Sequence, residues 1–127
     1  MIRFAGPQDA ADIRRLWEVC FPDEGGFNDY FFAHHFDITT TLLSVEDDVL
    51  CAMVQMLPYR LVMDGREAEI TYIYGACTDP AHRRKGHMAR LLEHSFALDR
   101  GAGRAASALI PAEKWLFDFY TPFGYEP

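Results

Sequence analysis

Between Ala10 and Phe21 the apolar residues Ile13, Leu16, Trp17, Cys20 and Phe21 recur at the spacing of one helical face. A short strand, Ile2-Arg3-Phe4-Ala5, precedes this helix across Gly6-Pro7; Asp9 is placed to cap it and Phe21-Pro22 to end it. Gly25-Gly26 then breaks the chain. Asn28 is placed to cap a second helix running to Phe36, whose aromatics Tyr30, Phe31, Phe32 and Phe36 read as core or as the lining of a substrate groove.

The period then shortens. Thr39 to Val45 and Val49 to Leu57 read as strands around the acidic turn Glu46-Asp47-Asp48, and Tyr59 to Met63 continues the second beyond Pro58. Asp64-Gly65 is a hairpin turn into a third strand, Ala68 to Cys77. That strand is apolar on both faces, through Ile70, Tyr72 and Tyr74 on one and Thr71 and Ile73 on the other, so it belongs mid-sheet. Gly75 inside it predicts a bulge or a close backbone approach.

Helical spacing returns with Met88, Leu91, Leu92, Ser95 and Phe96, predicting a helix over 87–100 that Gly101-Ala102-Gly103 closes. Ala105 to Ile110 reads as a short buried strand, parallel to Ala68–Cys77 under a right-handed crossover. Pro111 opens a last helix, from Ala112 to about Tyr120. The sum is an α/β (α+β) domain: a mixed, mostly antiparallel twisted sheet flanked by helices. No repeat, linker or low-complexity tract divides residues 1–127, so a single domain is expected.

Composition narrows the partners. With half of its 127 residues hydrophobic and 14% aromatic, the chain can build a packed core. No apolar run reaches membrane-span length and the N-terminus does not read as a leader, so a cytoplasmic protein without a membrane partner is expected. Three scattered cysteines, Cys20, Cys51 and Cys77, argue for buried thiols in a reducing compartment. The histidines lack C-x-x-C or H-E-x-x-H spacing, so no metal is expected. The net charge of −7 disfavours nucleic acid, while the cations Arg83, Arg84 and Lys85 stand together and suit a small polyanion.

Those cations lie in Thr78-Asp79-Pro80-Ala81-His82-Arg83-Arg84-Lys85-Gly86-His87-Met88, between the central strand and a helix. Unpaired N–H groups and the positive end of the helix dipole meet at such a junction, and a glycine lets a phosphate approach the main chain. A Walker loop is excluded, since Gly86 follows the lysine and no Ser or Thr stands ready for magnesium; a dinucleotide fingerprint lacks its glycines. A metal-free phosphate turn remains. Cys77 as a covalent nucleophile is a weaker alternative, with no base near it in sequence.

Three segments in this order resemble the GNAT superfamily of acyl-CoA N-acyltransferases: the first strand and helix; the turn from Thr78 to Gly86, similar to V-x-P-x-[YH]-R-x-x-G; and Phe119-Tyr120-Thr121-Pro122-Phe123-Gly124-Tyr125, similar to F-Y-x-x-x-G-[FY]. The Arg-Arg-Lys-Gly turn and the ending look most similar to the branch of enhanced-intracellular-survival acetyltransferases. Met88 stands where the superfamily usually has Gly or Ala, a departure shared with that branch.

The resemblance implies an acyltransferase using acetyl-CoA as co-substrate on a primary amine of a small molecule or peptide. It implies that main-chain groups of Ala76, Cys77 and Thr78 pair with the pantetheine, and that the turn, Arg83, Arg84, Lys85, Gly86, His87 and Met88, holds the pyrophosphate. Tyr120 is implied to be the general acid that protonates the departing thiolate. Phe119, Phe123 and Tyr125 read as packing. The general base is not identified: Glu69, Tyr72, Tyr74 and Glu113 are weak candidates, and in the resembled branch a chain-terminal carboxylate can serve. Asp23-Glu24 and residues 46–48 are acidic loops that would attract a cationic amine. The superfamily's chain runs on into a further strand, whereas this one stops at Pro127; a longer parent protein, or another copy of the chain completing the sheet, is expected. A non-catalytic acyl-CoA-binding module is the alternative reading.

Overall fold

The computed structural model describes residues 1–23, 25–109 and 116–126. Five strands, β1 (Ile2–Phe4), β2 (Thr41–Glu46), β3 (Val49–Met63), β4 (Arg66–Thr78) and β5 (Ala106–Leu109), form one sheet in the order β1-β2-β3-β4-β5. All neighbours are antiparallel except β4 and β5, which run parallel after the crossover helix α3 (His87–Ala102). The expected mixed, mostly antiparallel sheet is therefore the one observed.

The two hairpins have two-residue turns with both residues left-handed: Asp47 and Asp48 at φ 50° and 61°, Asp64 and Gly65 at φ 51° and 75°. Such turns match the twist of the strands they join. β3 runs unbroken through Pro58 because the pairing with β2 stops at Gln55, leaving that stretch of β3, among the described residues, with an open edge that a missing N–H does not disrupt.

Strand alternation divides the core in two. On one face Leu42, Val54, Met56 and Ile73 pack under Met88, Leu91 and Leu92 of α3, together with Tyr120 at the end of α4 (Leu116–Tyr120). On the other, Leu43, Met53 and Cys77 meet Ile13, Leu16 and Trp17 of α1 (Ala10–Cys20) and Phe31 of α2 (Phe27–His34). Leu42 and Leu43, and Met53 and Val54, are sequence neighbours sent to opposite faces by the period of two.

Several boundaries differ from the pattern reading. Asp9 precedes α1, but its carboxylate turns back to Arg3 (2.7 and 2.9 Å) and to the Gly6 N–H (2.8 Å) instead of capping α1. Gly26, at φ 80°, begins α2 in place of Asn28. Asn28 is buried, where it accepts from Trp17 Nε1 at 2.8 Å and donates to the Phe21 carbonyl at 3.2 Å. β2 starts at Thr41 because the Asp37 side chain caps a 3-10 turn over Ile38–Thr40. Of the aromatics read as core, Phe31 is buried, whereas Tyr30 is 54% exposed. β5 is half-exposed at the edge of the sheet, so it is not the buried strand expected. Its register is held by Ala105, whose N–H donates to the Glu69 carbonyl, and by Arg104, which donates to Thr71 Oγ1 at 2.7 Å. Thr71 in turn donates to buried Asp99 of α3 at 2.6 Å. The readings at Ile110, Pro111, Ala112 and Glu113 lie outside the described residues.

Candidate active site

Opposite β3, Gln55 faces Tyr74 and Met53 faces Cys77, so one extra residue of β4 is accommodated at Gly75–Ala76. This is the bulge that Gly75 predicted. It places Tyr74 and Cys77 on the same face although they are three apart, and turns Ala76 to the opposite one. Gly75 has φ 60°, and a Cβ there would stand 2.4 Å from Cζ3 of Trp17, which is why glycine is required. β5 pairs with β4 only from Ile70 to Ile73. Among the described residues, then, the edge of β4 from Tyr74 to Thr78 that faces away from β3 has no strand partner. Its peptide groups can pair with an extended, amide-bearing ligand.

Beyond Thr78 the chain makes a 3-10 turn, Pro80–His82, capped by Asp79, which accepts from the Ala81 N–H at 2.8 Å. Arg83 Nε donates back to the Thr78 carbonyl at 3.3 Å. Arg84 and Gly86 then adopt φ 65° and 80°. Left-handed residues alternating with others make the N–H concavities that bind anions. The first helical bond of α3 runs from the Arg90 N–H to the Gly86 carbonyl, so the N–H groups of His87, Met88 and Ala89 precede it and have no intrahelical partner. Arg83, Arg84, Lys85 and Gly86 are exposed, whereas the His87 and Met88 side chains point into the core at 2% and 9% exposure. Any anion contact by those two falls to their main chain.

Arg90 was not singled out by sequence, yet it braces the turn. Its guanidinium donates to the Lys85 carbonyl at 3.1 Å and reaches His87 Nδ1 at 3.2 Å. Its position four residues after Gly86 was the available signal.

Tyr120 ends α4 with its ring buried, edge-on to Phe119 and Tyr125 at 5.1 and 6.0 Å between centroids. Burial pushes its phenol above the usual value of 10, and the neighbouring Cys77 adds to the shift. The structure thus brings Tyr120 to the free end of β4, across more than forty residues of chain. Tyr125 fastens this segment to β5 through a 2.6 Å hydrogen bond with Ser107 Oγ.

Cys77 is not free to act as a nucleophile. A hydrogen bond with the free Cys20 thiol and its own burial raise its thiol well above 9. The same bond lowers Cys20 to about 7, against burial and with help from Arg83. Cys20, half-buried on α1 and 3.5 Å from the Thr78 carbonyl, is the thiol of lowered pKa at the site, which sequence spacing had no means of showing.

The base candidates fare unevenly. Burial raises the phenols of Tyr72 and Tyr74, which keeps them protonated at neutral pH. Glu69 is exposed beside a shallow cleft lined by Tyr59, Arg60 and Arg104. Eight residues of strand, roughly 26 Å, separate it from Cys77. Glu113 lies outside the described residues, as does Glu24. Asp23 is engaged structurally, accepting from the Asn28 N–H at 3.0 Å.

The chain belongs to the GNAT acetyltransferase family: the family model described as an acetyltransferase (GNAT) domain matches residues 1–127. Solved structures share the fold. A GCN5-related N-acetyltransferase from Anabaena variabilis superposes over 94% of this chain with a TM-score of 0.82 at 16% identity. Eis1 from Mycobacterium abscessus does so over 98% with a TM-score of 0.78, also at 16% identity. The chain spans 30% of the length of each of these two proteins. A GNAT family acetyltransferase from Brucella melitensis, solved in complex with acetyl-CoA, is 25% identical, with a TM-score of 0.77 over 100% of this chain and 82% of its own. No curated protein matches the sequence. No helix among the described residues is long and apolar enough to cross a membrane.

Proposed function

We propose that this domain transfers an acetyl group from acetyl-CoA to a primary amine of a small molecule or peptide, by direct attack within a ternary complex. The observation that carries this reading is the convergence of the unpaired β4 edge at residues 74–78, the turn at 83–86 and the buried Tyr120 at one end of the sheet. The free edge offers Ala76, Cys77 and Thr78 to the pantetheine amides. The pyrophosphate lies over the turn and the first N–H groups of α3, interactions worth about 0.3–1 kcal/mol each and up to ~2 kcal/mol when partly buried. The Brucella protein's complex with acetyl-CoA supports this choice of co-substrate. The free thiols Cys20, Cys51 and Cys77 suit a reducing compartment such as the cytoplasm.

The neutral amine attacks the thioester carbonyl, forming a C–N bond as the C–S bond breaks. The CoA thiolate takes the phenolic proton of Tyr120, the excess proton on the attacking nitrogen passes to solvent or to a base, and the Tyr120 phenolate is reprotonated from solvent. The raised phenol of Tyr120 keeps that proton in place until the thiolate develops. Proton transfer of this kind contributes about 10²–10⁴ in rate.

The test is free-thiol release from acetyl-CoA over a panel of amines, for the native chain and Tyr120→Phe, with CoA binding followed by calorimetry. Turnover that falls by about 10²–10⁴ in Tyr120→Phe, with CoA binding kept, supports the proposal. Binding without thiol release for any amine leaves an acyl-CoA-binding module, and absence of CoA binding overturns both readings.

A further inference from the structure

Cys51 near the start of β3, His82 at the end of the 3-10 turn and His87 at the first position of α3 come together from three elements. The sulfur and one ring nitrogen from each histidine lie within 4.8 Å of one another. A tetrahedral zinc ion, with bonds of about 2.3 Å to sulfur and 2.0–2.1 Å to nitrogen, holds such atoms roughly 3.3–3.6 Å apart. Closing that gap takes small side-chain rotations, and His82 is half-exposed and can turn.

His87 supplies the second observation. Its Nδ1 sits 3.0 Å from Ser44 Oγ and 3.2 Å from Arg90 Nη2, while its Nε2 is buried and has no hydrogen-bond partner among the described residues. A guanidinium only donates, so Nδ1 accepts and the ring proton of the neutral imidazole sits on Nε2, facing no acceptor. A buried polar atom in that state calls for a partner.

We propose that Cys51, His82 and His87 form a zinc site, with His87 coordinating through Nε2 and Ser44 Oγ accepting from its Nδ1–H. On binding, the Cys51 S–H bond breaks, its proton passes to solvent and a zinc–thiolate bond forms. The His87 ring proton moves from Nε2 to Nδ1, where Ser44 orients it in the way that outer-sphere partners orient ligating imidazoles. Arg90 gives up its contact with Nδ1 and keeps its bond to the Lys85 carbonyl, with Glu46 3.9 Å away. One sulfur and two nitrogens suit zinc and exclude magnesium and calcium, which take oxygen ligands. Because His82 and His87 bracket residues 83–86, the ion ties both ends of the turn to β3.

Metal-free protein is titrated with Zn²⁺ against a chromophoric chelator, and with Co²⁺ followed by absorbance. One equivalent binds, releases one proton and, with Co²⁺, gives a thiolate-to-cobalt charge-transfer band. Loss of an outer-sphere partner costs about 10–100-fold, so Ser44→Ala weakens Zn²⁺ by that factor, and Cys51→Ala and His82→Ala each by more than about 100-fold. Cys20→Ala leaves the affinity unchanged, separating this site from the Cys20–Cys77 pair. His82→Ala retains native circular dichroism, so its loss of affinity is not a loss of fold. Native affinity in either Cys51→Ala or His82→Ala, a cobalt spectrum without the thiolate band, or no binding at micromolar Zn²⁺ overturns the proposal.

Discussion

The ring of Trp17 lies directly over Gly75, its Cζ3 only 2.4 Å from the place a Cβ would occupy. Trp17 is itself fixed, hydrogen-bonded to Asn28 and stacked on Phe31 at 4.4 Å. The bulge that frees the end of β4 is thus held from α1. Gly75→Ala meets two costs, about 1–2 kcal/mol for a left-handed alanine and about 1–3 kcal/mol for overpacking. Urea unfolding is expected to show a loss of about 2–5 kcal/mol. In a double-mutant cycle with Trp17→Leu, only the packing part couples.

Gly86 and Lys85 stand side by side in the turn but act differently. At φ 80° Gly86 sets the path of the N–H groups, and a Cβ there would meet Arg90 Nη1 at 2.9 Å, the flexible end of a side chain. Backbone strain therefore dominates for a branched residue. Calorimetry with CoA is expected to show Gly86→Val weakening binding more than Lys85→Ala. An equal or reversed order would assign the binding to simple charge attraction.

The pH profile of turnover reports on Tyr120. Burial raises its phenol above 10, so the acid stays protonated through and beyond that pH, and activity is lost only as pH rises through the raised value. The profile of kcat/KM is expected to show no falling limb assignable to Tyr120 below about pH 10. A limb near 8.5 would point to a thiol in its place.

Cys20 should be the most reactive thiol at neutral pH. Its hydrogen bond with Cys77 lowers it to about 7 and it is half-buried, whereas Cys51 and Cys77 are buried. Mass spectrometry after brief iodoacetamide treatment at neutral pH is expected to find Cys20 modified first, with CoA slowing the reaction. Preferential labelling of Cys77 would contradict the assigned direction of the pair.

Acid stability has a defined contributor in Asp9. Its hydrogen bonds from Arg3 hold the carboxyl below its usual range, with the Gly6 N–H adding to the effect. The folded pKa is the lower one, so this contribution is full above the unfolded pKa and disappears as pH falls through the folded value. Asp9→Asn is expected to lose about 1–2 kcal/mol at pH 7, at the low end for bonds to a charged group near the surface. The difference from the native chain closes in acid below pH 4.

The sheet and its helices were legible because their signals are local: short apolar runs through Leu42–Val45 and Met53–Met56, helical spacing from Met88 to Phe96, and Asp64-Gly65 between strands. The bulge was legible from a lone glycine, but its cause was not, since Trp17 reaches Gly75 across nearly sixty residues. Asn28 looked like a cap because its residue type favours caps; burial against Trp17 overrode that preference. The Cys51, His82 and His87 cluster carries no ligand spacing along the chain, because each member comes from a different element. Arg90 and Ser44, which set the state of His87, carry no signal without the fold.

The consecutive strand order has a kinetic consequence. β1 to β4 are neighbours in space as in sequence, and two-residue turns close both of the long hairpins, so most of the sheet forms from contacts of short chain separation. Tyr120 reaches the end of β4 across more than forty residues, a contact of long chain separation. Substitutions in the segment around Tyr120 should therefore speed unfolding with little effect on the refolding rate, and the sheet should assemble ahead of the chemistry it carries.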